Sequence, residues 1–215
     1  MVTLAAQLSE RRAASAERTP ETTKAAMARS LRVLEDSGIA GRALGVGDLA
    51  PDFVLPDAAG REVDLSDLLR AGPVAVSFYR GDWCPYCNLE LRALQDSLSV
   101  FRAVGATLVA ISPNPPDSSM TAVERHDLEY PVLSDVDNSV ARDFGLVFTV
   151  PDDLEAAYRA MGIDIGEANG SGVWEIPLPA TYVIDQDRTI AFAFVDADYR
   201  KRAEPVDVIA AIEAL

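Results

Sequence analysis

The chain has 215 residues, 49% of them hydrophobic, which is enough to bury a full core without covalent staples and reads as one domain with an appendage. Its 34 acidic against 19 basic side chains give a net charge of -15, which repels phosphate backbones and anionic lipid, so no nucleic acid and no membrane is expected as a partner. Two cysteines are too few for a disulfide scaffold, no stretch is long and apolar enough to span a bilayer, and the first residues lack the basic start and apolar run of a secretory signal; a reducing, cytoplasmic setting is expected.

Residues 19–38 read as a helix, with Thr19 as cap, Pro20 in the first turn, Gly38 as the left-handed stop and an apolar stripe at Met27, Leu31 and Leu34. This helix belongs to an N-terminal helical extension over 1–45, which must dock on the body or on a second subunit, and so admits a homodimer. From Val46 the Pro, Asp and Gly punctuation around Phe53, Leu55 and Val63 predicts a short hairpin, with a helical turn near Ser66. Val74–Tyr79 is a compact run of strand formers, as in a central strand covered on both faces. Asn88–Val104 carries Leu91, Leu94, Leu98 and Phe101 at helical spacing up to Gly105, and Thr107–Ser112 is a second buried strand, completing a right-handed crossover. Further on, helices are predicted at 122–128, 138–144 and 152–161, and strands at 130–134, 181–184 and 190–195. Asn169-Gly170 marks a turn, and a helix closes the chain at 205–215. The whole reads as α/β with a mixed sheet.

The segment FYRGDWCPYCNLEL places Cys84 at the carboxyl end of a buried strand and at the first turn of a helix, the edge of an α/β sheet where sites form. The unpaired N–H groups and positive end of the helix dipole favour a thiolate there, and Pro85 fixes the backbone so that the sulfurs of Cys84 and Cys87 can meet after one is oxidised. Cys84 attacks and Cys87 resolves, or the reverse. A tetrahedral zinc needs four ligands, whereas the chain offers two cysteines and one histidine, His126, which sits in a polar helical stretch and is expected on the surface with no role. Trp83 and Tyr86 flank the sulfurs and either shape a substrate surface or pack the strand-helix junction. Glu90, one turn into the helix, either complements the dipole or relays a proton, or lies on a solvated face. DADYRKRAEP near the C-terminus reads as a surface turn and helix cap, with Arg200 or Arg202 reaching the site as the less favoured alternative.

A second piece, IPLPATYVID, puts Pro179 at the start of a strand, where proline donates nothing to the ladder and a cis Leu178-Pro179 bond is a plausible reason for its presence. C-x-x-C between strand and helix followed by the distant Pro179-x-Thr181-x-x-Ile184-Asp185 resembles the thioredoxin superfamily. APDFVLPDAAGREVDLSDL, RGDWCPYCNLEL, ISPNPP, LSDVDNSVARDFGLVF and PATYVID together resemble the peroxiredoxin-like branch of the alkyl hydroperoxide reductase/thiol-specific antioxidant (AhpC/TSA) family, over residues 46–215.

The resemblance implies a thioredoxin-like fold, a mixed central sheet flanked by helices. It also implies a thiol-dependent antioxidant peroxidase that reduces hydrogen peroxide or organic hydroperoxides without a cofactor. Such enzymes pass through a sulfenic acid to a redox-active disulfide that thioredoxin, or glutaredoxin with glutathione, reduces. In peroxiredoxins the aromatic strand end falls on Phe78-Tyr79, the attacking cysteine on Cys87 and the usual threonine on Cys84. In thioredoxins, W-C-x-x-C matches Trp83–Cys87 and the attacking thiol falls on Cys84. Two positions depart from the peroxiredoxin pattern: Arg80 stands for the proline after the aromatic strand end, and Pro179 for the arginine before the I-D strand. Arg80 is therefore a candidate to supply positive charge to a thiolate or peroxide oxygen. The alternatives are a thioredoxin-like oxidoreductase acting on protein disulfides, and a non-catalytic domain of the same fold that binds through its N-terminal helix.

Overall fold

A computed structural model describes residues 2–215. The N-terminal arm holds α1 (Leu4–Arg18), α2 (Glu21–Ser37) and α3 (Ile39–Arg42). The body begins with β1 (Val54–Pro56), β2 (Glu62–Asp64), α4 (Leu65–Ala71), β3 (Val74–Phe78), α5 (Pro85–Asp96), α6 (Leu98–Ala103) and β4 (Thr107–Ser112). It continues with α7 (Pro116–His126), β5 (Val132–Ser134), α8 (Ser139–Asp143), β6 (Val147–Thr149), α9 (Asp152–Ala160) and α10 (Ile165–Ala168). Last come β7 (Glu175–Pro177), β8 (Ala180–Ile184), β9 (Ile190–Val195) and α11 (Pro205–Glu213). No described helix is long and apolar enough to cross a membrane.

The central sheet runs β5-β4-β3-β8-β9: β3 pairs parallel with β4 and β4 with β5, whereas β8 is antiparallel to both β3 and β9. Both faces of β3 are covered, which is why its sequence is apolar without alternation. Val74, Val76 and Phe78 pack with Phe144, Tyr182 and Leu65 on one side. Ala75 and Tyr79 meet Leu91, Leu94, Phe101 and the α11 residues Val208 and Ile212 on the other, and Cys84 and Cys87 belong to this second layer. Each large side chain sealed in this way stabilises the fold by about 1.5–3 kcal/mol. The cysteines thus sit on a rigid floor.

Most of the expected elements form within a residue or two of their predicted bounds. The predicted helix over 88–104 is two: the chain breaks at Ser97 between α5 and α6, while the apolar positions Leu91, Leu94, Leu98 and Phe101 all stay buried. The helix predicted from Thr19 starts at Glu21, with Pro20 as its cap residue; Thr19 instead ends α1, and Gly38 stops α2 at φ 67° as expected. α1 itself was not foreseen, because only Leu4 and Leu8 anchor it. The arm docks on the body of its own chain. Glu204 accepts hydrogen bonds from the N–H groups of Leu4 (3.1 Å) and Ala5 (2.6 Å), and Arg29 of α2 pairs with Asp153 of α9 at 2.8 Å. Small residues, Thr23, Ala26 and Ser30, form the buried face of α2, with Met27, Leu31 and Leu34 half-buried beside them.

Glu204 caps α1 from the far end of the sequence, so its removal acts on the arm and spares the body. Glu204→Ala is expected to weaken the docking of α1 by about 1 kcal/mol, the value of a lost helix N-cap. Hydrogen exchange checks this: residues 4–18 should exchange faster while β3 and β4 stay protected.

Candidate active site

The loop from Arg80 to Trp83 carries the chain from β3 into α5 and is held by its own polar groups. Asn114 Oδ1 accepts from the Asp82 N–H at 2.9 Å, and Asn88 Nδ2 donates to the Asp82 carbonyl at 2.9 Å. Gly81 turns the corner at φ 132°, and a Cβ there would lie 2.5 Å from Trp83 Nε1 and 3.0 Å from Asn114 Oδ1, so no other residue fits. Cys84 is the N-cap residue of α5, with Pro85 in its first turn. No side-chain cap occupies the helix end, which leaves its positive pole to the sulfur.

Cys84 and Cys87 are both buried thiols, but they differ in surroundings. Burial pushes the Cys84 pKa up, yet the adjoining Cys87 thiol, which can donate to it, and the charges of Arg80 and Arg202 outweigh this and bring it down to about 5. For Cys87, burial is the largest influence, Cys84 and Glu90 add to it, and Arg202 only partly opposes them, so its thiol is held well above the ordinary range. Cys84 lines a cavity of about 300 Å³ whose walls include Trp83, Tyr86, Tyr158 and Tyr199; Cys87 does not line it.

Arg80, 3% exposed, sits in an aromatic box. Its guanidinium carbon lies 4.8 Å from the Trp83 ring centre, 5.8 Å from Tyr158 and 4.5 Å from Tyr199, and its Nη2 donates to the Tyr158 hydroxyl at 2.5 Å. Burial alone would lower its pKa; Tyr158, Cys84, Tyr199 and Cys87 raise it overall, so it stays a cation. Its Nε has no hydrogen-bond partner.

On the other side of the dithiol, Arg202 donates through Nη2 to Cys87 Sγ at 3.3 Å and through Nε to Glu90. Its Nη1 is held by the carbonyls of Tyr199 (2.6 Å) and Lys201 (2.7 Å). Glu90 also receives the hydroxyls of Ser77 and Thr181 at 3.4 Å each. Burial raises the Glu90 pKa, and the Arg202 charge counteracts part of that rise. DADYRKRAEP is therefore no surface turn: Asp198 and Arg202 are buried, because the segment folds back under α5. Glu90 likewise faces inward. Residues 90 and 202 are 112 apart in the chain and meet through the antiparallel return of β8 and β9, which local patterning does not show.

The structure brings Arg80, Trp83, Cys84 and Cys87 together. Thr181 reaches Glu90, one step behind the sulfurs, through its pairing with Ser77. Pro179 lies buried just before β8, and its peptide bond is trans, as is every other described peptide bond, so the cis bond expected there is absent. His126, expected at the surface, is half-buried at the end of α7 in a groove with Arg11, Pro85 and Arg92; burial and the charges of Arg92 and Arg125 lower its pKa.

The profile of the AhpC/TSA family matches residues 46–193. The chain belongs to the AhpC/TSA family. It is a peroxiredoxin-like member of the thioredoxin superfamily. The chloroplastic peroxiredoxin Q of Gentiana triflora is 30% identical over 148 residues, covering 69% of this chain and 58% of that protein. The putative peroxiredoxin bcp of Buchnera aphidicola subsp. Schizaphis graminum is 34% identical over 100 residues, 46% of this chain and 63% of that one. This AhpC/TSA chain thus matches somewhat over half the length of these curated relatives. Among solved structures, peroxidoxin BcpB from Mycobacterium tuberculosis superposes with a TM-score of 0.63 at 27% identity, over 80% of this chain and 98% of that one. The reduced 2-Cys peroxiredoxin of Plasmodium vivax, 20% identical with a TM-score of 0.61, shares the fold. The thioredoxin-like α/β architecture expected from the resemblance is the one observed.

Burial and the neighbouring Cys84 keep Cys87 protonated although a guanidinium touches it, and the buried Glu90 paired with Arg202 adds to them. Glu90→Gln removes the opposing charge and leaves Arg202 to the sulfur. The expected outcome is a fall in the Cys87 pKa, read as alkylation of Cys87 shifting to lower pH by peptide mass spectrometry.

Proposed function

We propose that this chain is a thiol-dependent peroxidase in which Cys84 attacks and Cys87 resolves. The observation that carries the reading is the asymmetry of the pair: Cys84 alone lines a cavity, has its pKa brought down to about 5 and has the uncompensated Arg80 beside it. The Cys84 thiolate attacks the terminal oxygen of a hydroperoxide. The O–O bond breaks, sulfur is oxidised to a sulfenic acid, and the alkoxide or hydroxide that leaves takes a proton. Arg80 offers the positive charge that steadies both the thiolate and the departing oxygen. The Cys87 thiol then displaces water from the sulfenic acid, and the Cys84–Cys87 disulfide forms within one turn of α5.

A dithiol protein of the thioredoxin kind, or glutaredoxin with glutathione, returns the pair to the reduced state, attacking Cys84 because it lines the cavity and Cys87 does not. The peroxiredoxin names of the relatives support this reading, and return of the pair to the dithiol state fits a reducing compartment such as the cytoplasm. The peroxiredoxin alignment puts the attacking cysteine on Cys87, but that thiol does not line the cavity that Cys84 lines and is held protonated.

The test is hydroperoxide consumption by the pre-reduced protein with thioredoxin and its reductase, beside Cys84→Ser and Cys87→Ser. Expected are turnover in the wild type, none in Cys84→Ser, and a single oxidation event without disulfide in Cys87→Ser. Reduction of a protein disulfide with no peroxide consumed would instead support the thioredoxin-like oxidoreductase.

A further inference from the structure

Breaking the O–O bond of a hydroperoxide calls for a proton that neither Arg80 nor Cys87 supplies. The departing alkoxide or hydroxide is a strong base, and it leaves faster when an acid meets it in the transition state. Arg80 brings charge, but a guanidinium does not give up a proton in a protein. Arg11, which also lines the cavity of about 300 Å³ at Cys84, is limited in the same way. Cys87 carries a proton but does not line that cavity.

Tyr158 of α9 meets the requirement by place and by hydrogen bonding. It is 3% exposed and lines the same cavity as Cys84. Its carbonyl accepts from the N–H groups of Met161 (3.0 Å) and Ile163 (2.9 Å), which closes α9 behind the ring, and Trp83 packs edge-on against that ring with centres 5.5 Å apart. The hydroxyl oxygen accepts from Arg80 Nη2 at 2.5 Å. This bond occupies a lone pair and leaves the proton uncommitted: among the described residues no acceptor takes it, so it is available to a molecule in the cavity. A cation that donates to a phenol oxygen also stabilises the phenolate left behind. The other hydroxyls on the cavity are placed less well. Tyr199 donates to Met27 Sδ at 3.8 Å and burial pushes its pKa up, while Tyr86 packs edge-on against Tyr199 with ring centres 5.6 Å apart. Ser15 and Thr19 carry aliphatic hydroxyls, weaker acids than a phenol, and Thr19 donates to the Ser15 carbonyl.

We propose that Tyr158 is the general acid of the reaction and hands its hydroxyl proton to the oxygen that leaves the hydroperoxide. The inference rests on the peroxidase reading and adds the proton donor. The Cys84 thiolate bonds to the terminal oxygen as the O–O bond breaks, which oxidises sulfur to the sulfenic acid. The departing oxygen takes the Tyr158 proton and leaves as an alcohol, or as water when the oxidant is hydrogen peroxide. Negative charge thus passes from sulfur to phenolate, and Arg80 neighbours both. A solvent proton restores the phenol, replacing the one Cys84 lost on ionising. Cys87 gives its own proton to the water released when the disulfide closes.

Two oxidants separate proton donation from structural support, in single-turnover oxidation of the full pre-reduced chain followed by tryptophan fluorescence and thiol mass spectrometry. tert-Butyl hydroperoxide expels an alkoxide that needs a proton, whereas peracetic acid expels acetate, which does not. Tyr158→Phe keeps the ring and removes the hydroxyl. The ratio of the two rates, hydroperoxide over peracid, is expected to fall about a hundredfold in this variant. Loss of the thiolate slows both oxidants alike, so an unchanged ratio would overturn the proposal, while oxidation of Cys84 keeps the peroxidase reading. The wild type in heavy water gives a second measure that needs no variant: the hydroperoxide should be slowed more than the peracid. Equal slowing of the two counts against Tyr158 even if the variant's ratio falls, because the fall then belongs to a displaced Arg80. If neither oxidant oxidises Cys84, the peroxidase reading and the proposal fail together.

Discussion

Arg80 is enclosed by Trp83, Tyr158 and Tyr199, and no carboxylate partners it among the described residues. A cation held in that state costs several kcal/mol, and the rings recover only about 2 kcal/mol of it. The remaining imbalance is relieved when an anion forms next to it, and Cys84, whose pKa the Arg80 charge lowers, can supply one. The lowered pKa of this thiol thus draws on the Cys87 thiol beside it and on a guanidinium that no carboxylate neutralises. Everything nearby keeps that arrangement in place: Gly81 lets Trp83 lie against the turn, Asn114 fixes the loop, and Pro85 starts α5 directly after the sulfur.

The second guanidinium is treated in the opposite way. Arg202 meets a buried carboxylate, two carbonyls and Cys87, so its charge is shared among several partners and only partly offsets the burial of Cys87. In the proposed reading, two thiols three residues apart serve as nucleophile and protonated resolving group, Cys84 with the carboxylate-free Arg80 nearby and Cys87 against the partnered Arg202. Pairs of titratable groups whose environments drive their pKa values apart are how a fold assigns acid and base roles. The sheet makes the division possible, because Ser77 of β3 and Thr181 of β8 pair side by side and hold Glu90 from below.

Local signals in the sequence were enough to place Cys84 between strand and helix, to find β3 and β4 as buried runs, and to nominate Arg80 and Trp83. What they missed lies at long range. Arg202 is separated from Cys87 by most of the body, and a run of mixed charges looks like a solvated turn until β9 is seen to carry it beneath α5. Glu90 follows Cys87 by three residues, yet only tertiary packing decides whether that helical face is wet or dry. The short β6 and β7 pair only with each other, and α1 has too few apolar anchors to stand out. The arm's position over Cys84 depends on Glu204 at the far end of the chain.

The most direct test of this account is a pH titration of thiolate absorbance in the reduced protein, in the wild type, Cys84→Ser, Cys87→Ser and Arg80→Met. Cys84 has a folded pKa below its unfolded value, so its thiolate should persist at neutral pH and be lost only as the pH falls through about 5. That transition should survive in Cys87→Ser, moved upward by loss of the neighbouring thiol, vanish in Cys84→Ser, and shift towards the ordinary thiol range in Arg80→Met. An acidic transition that vanishes in Cys87→Ser and remains in Cys84→Ser would contradict it.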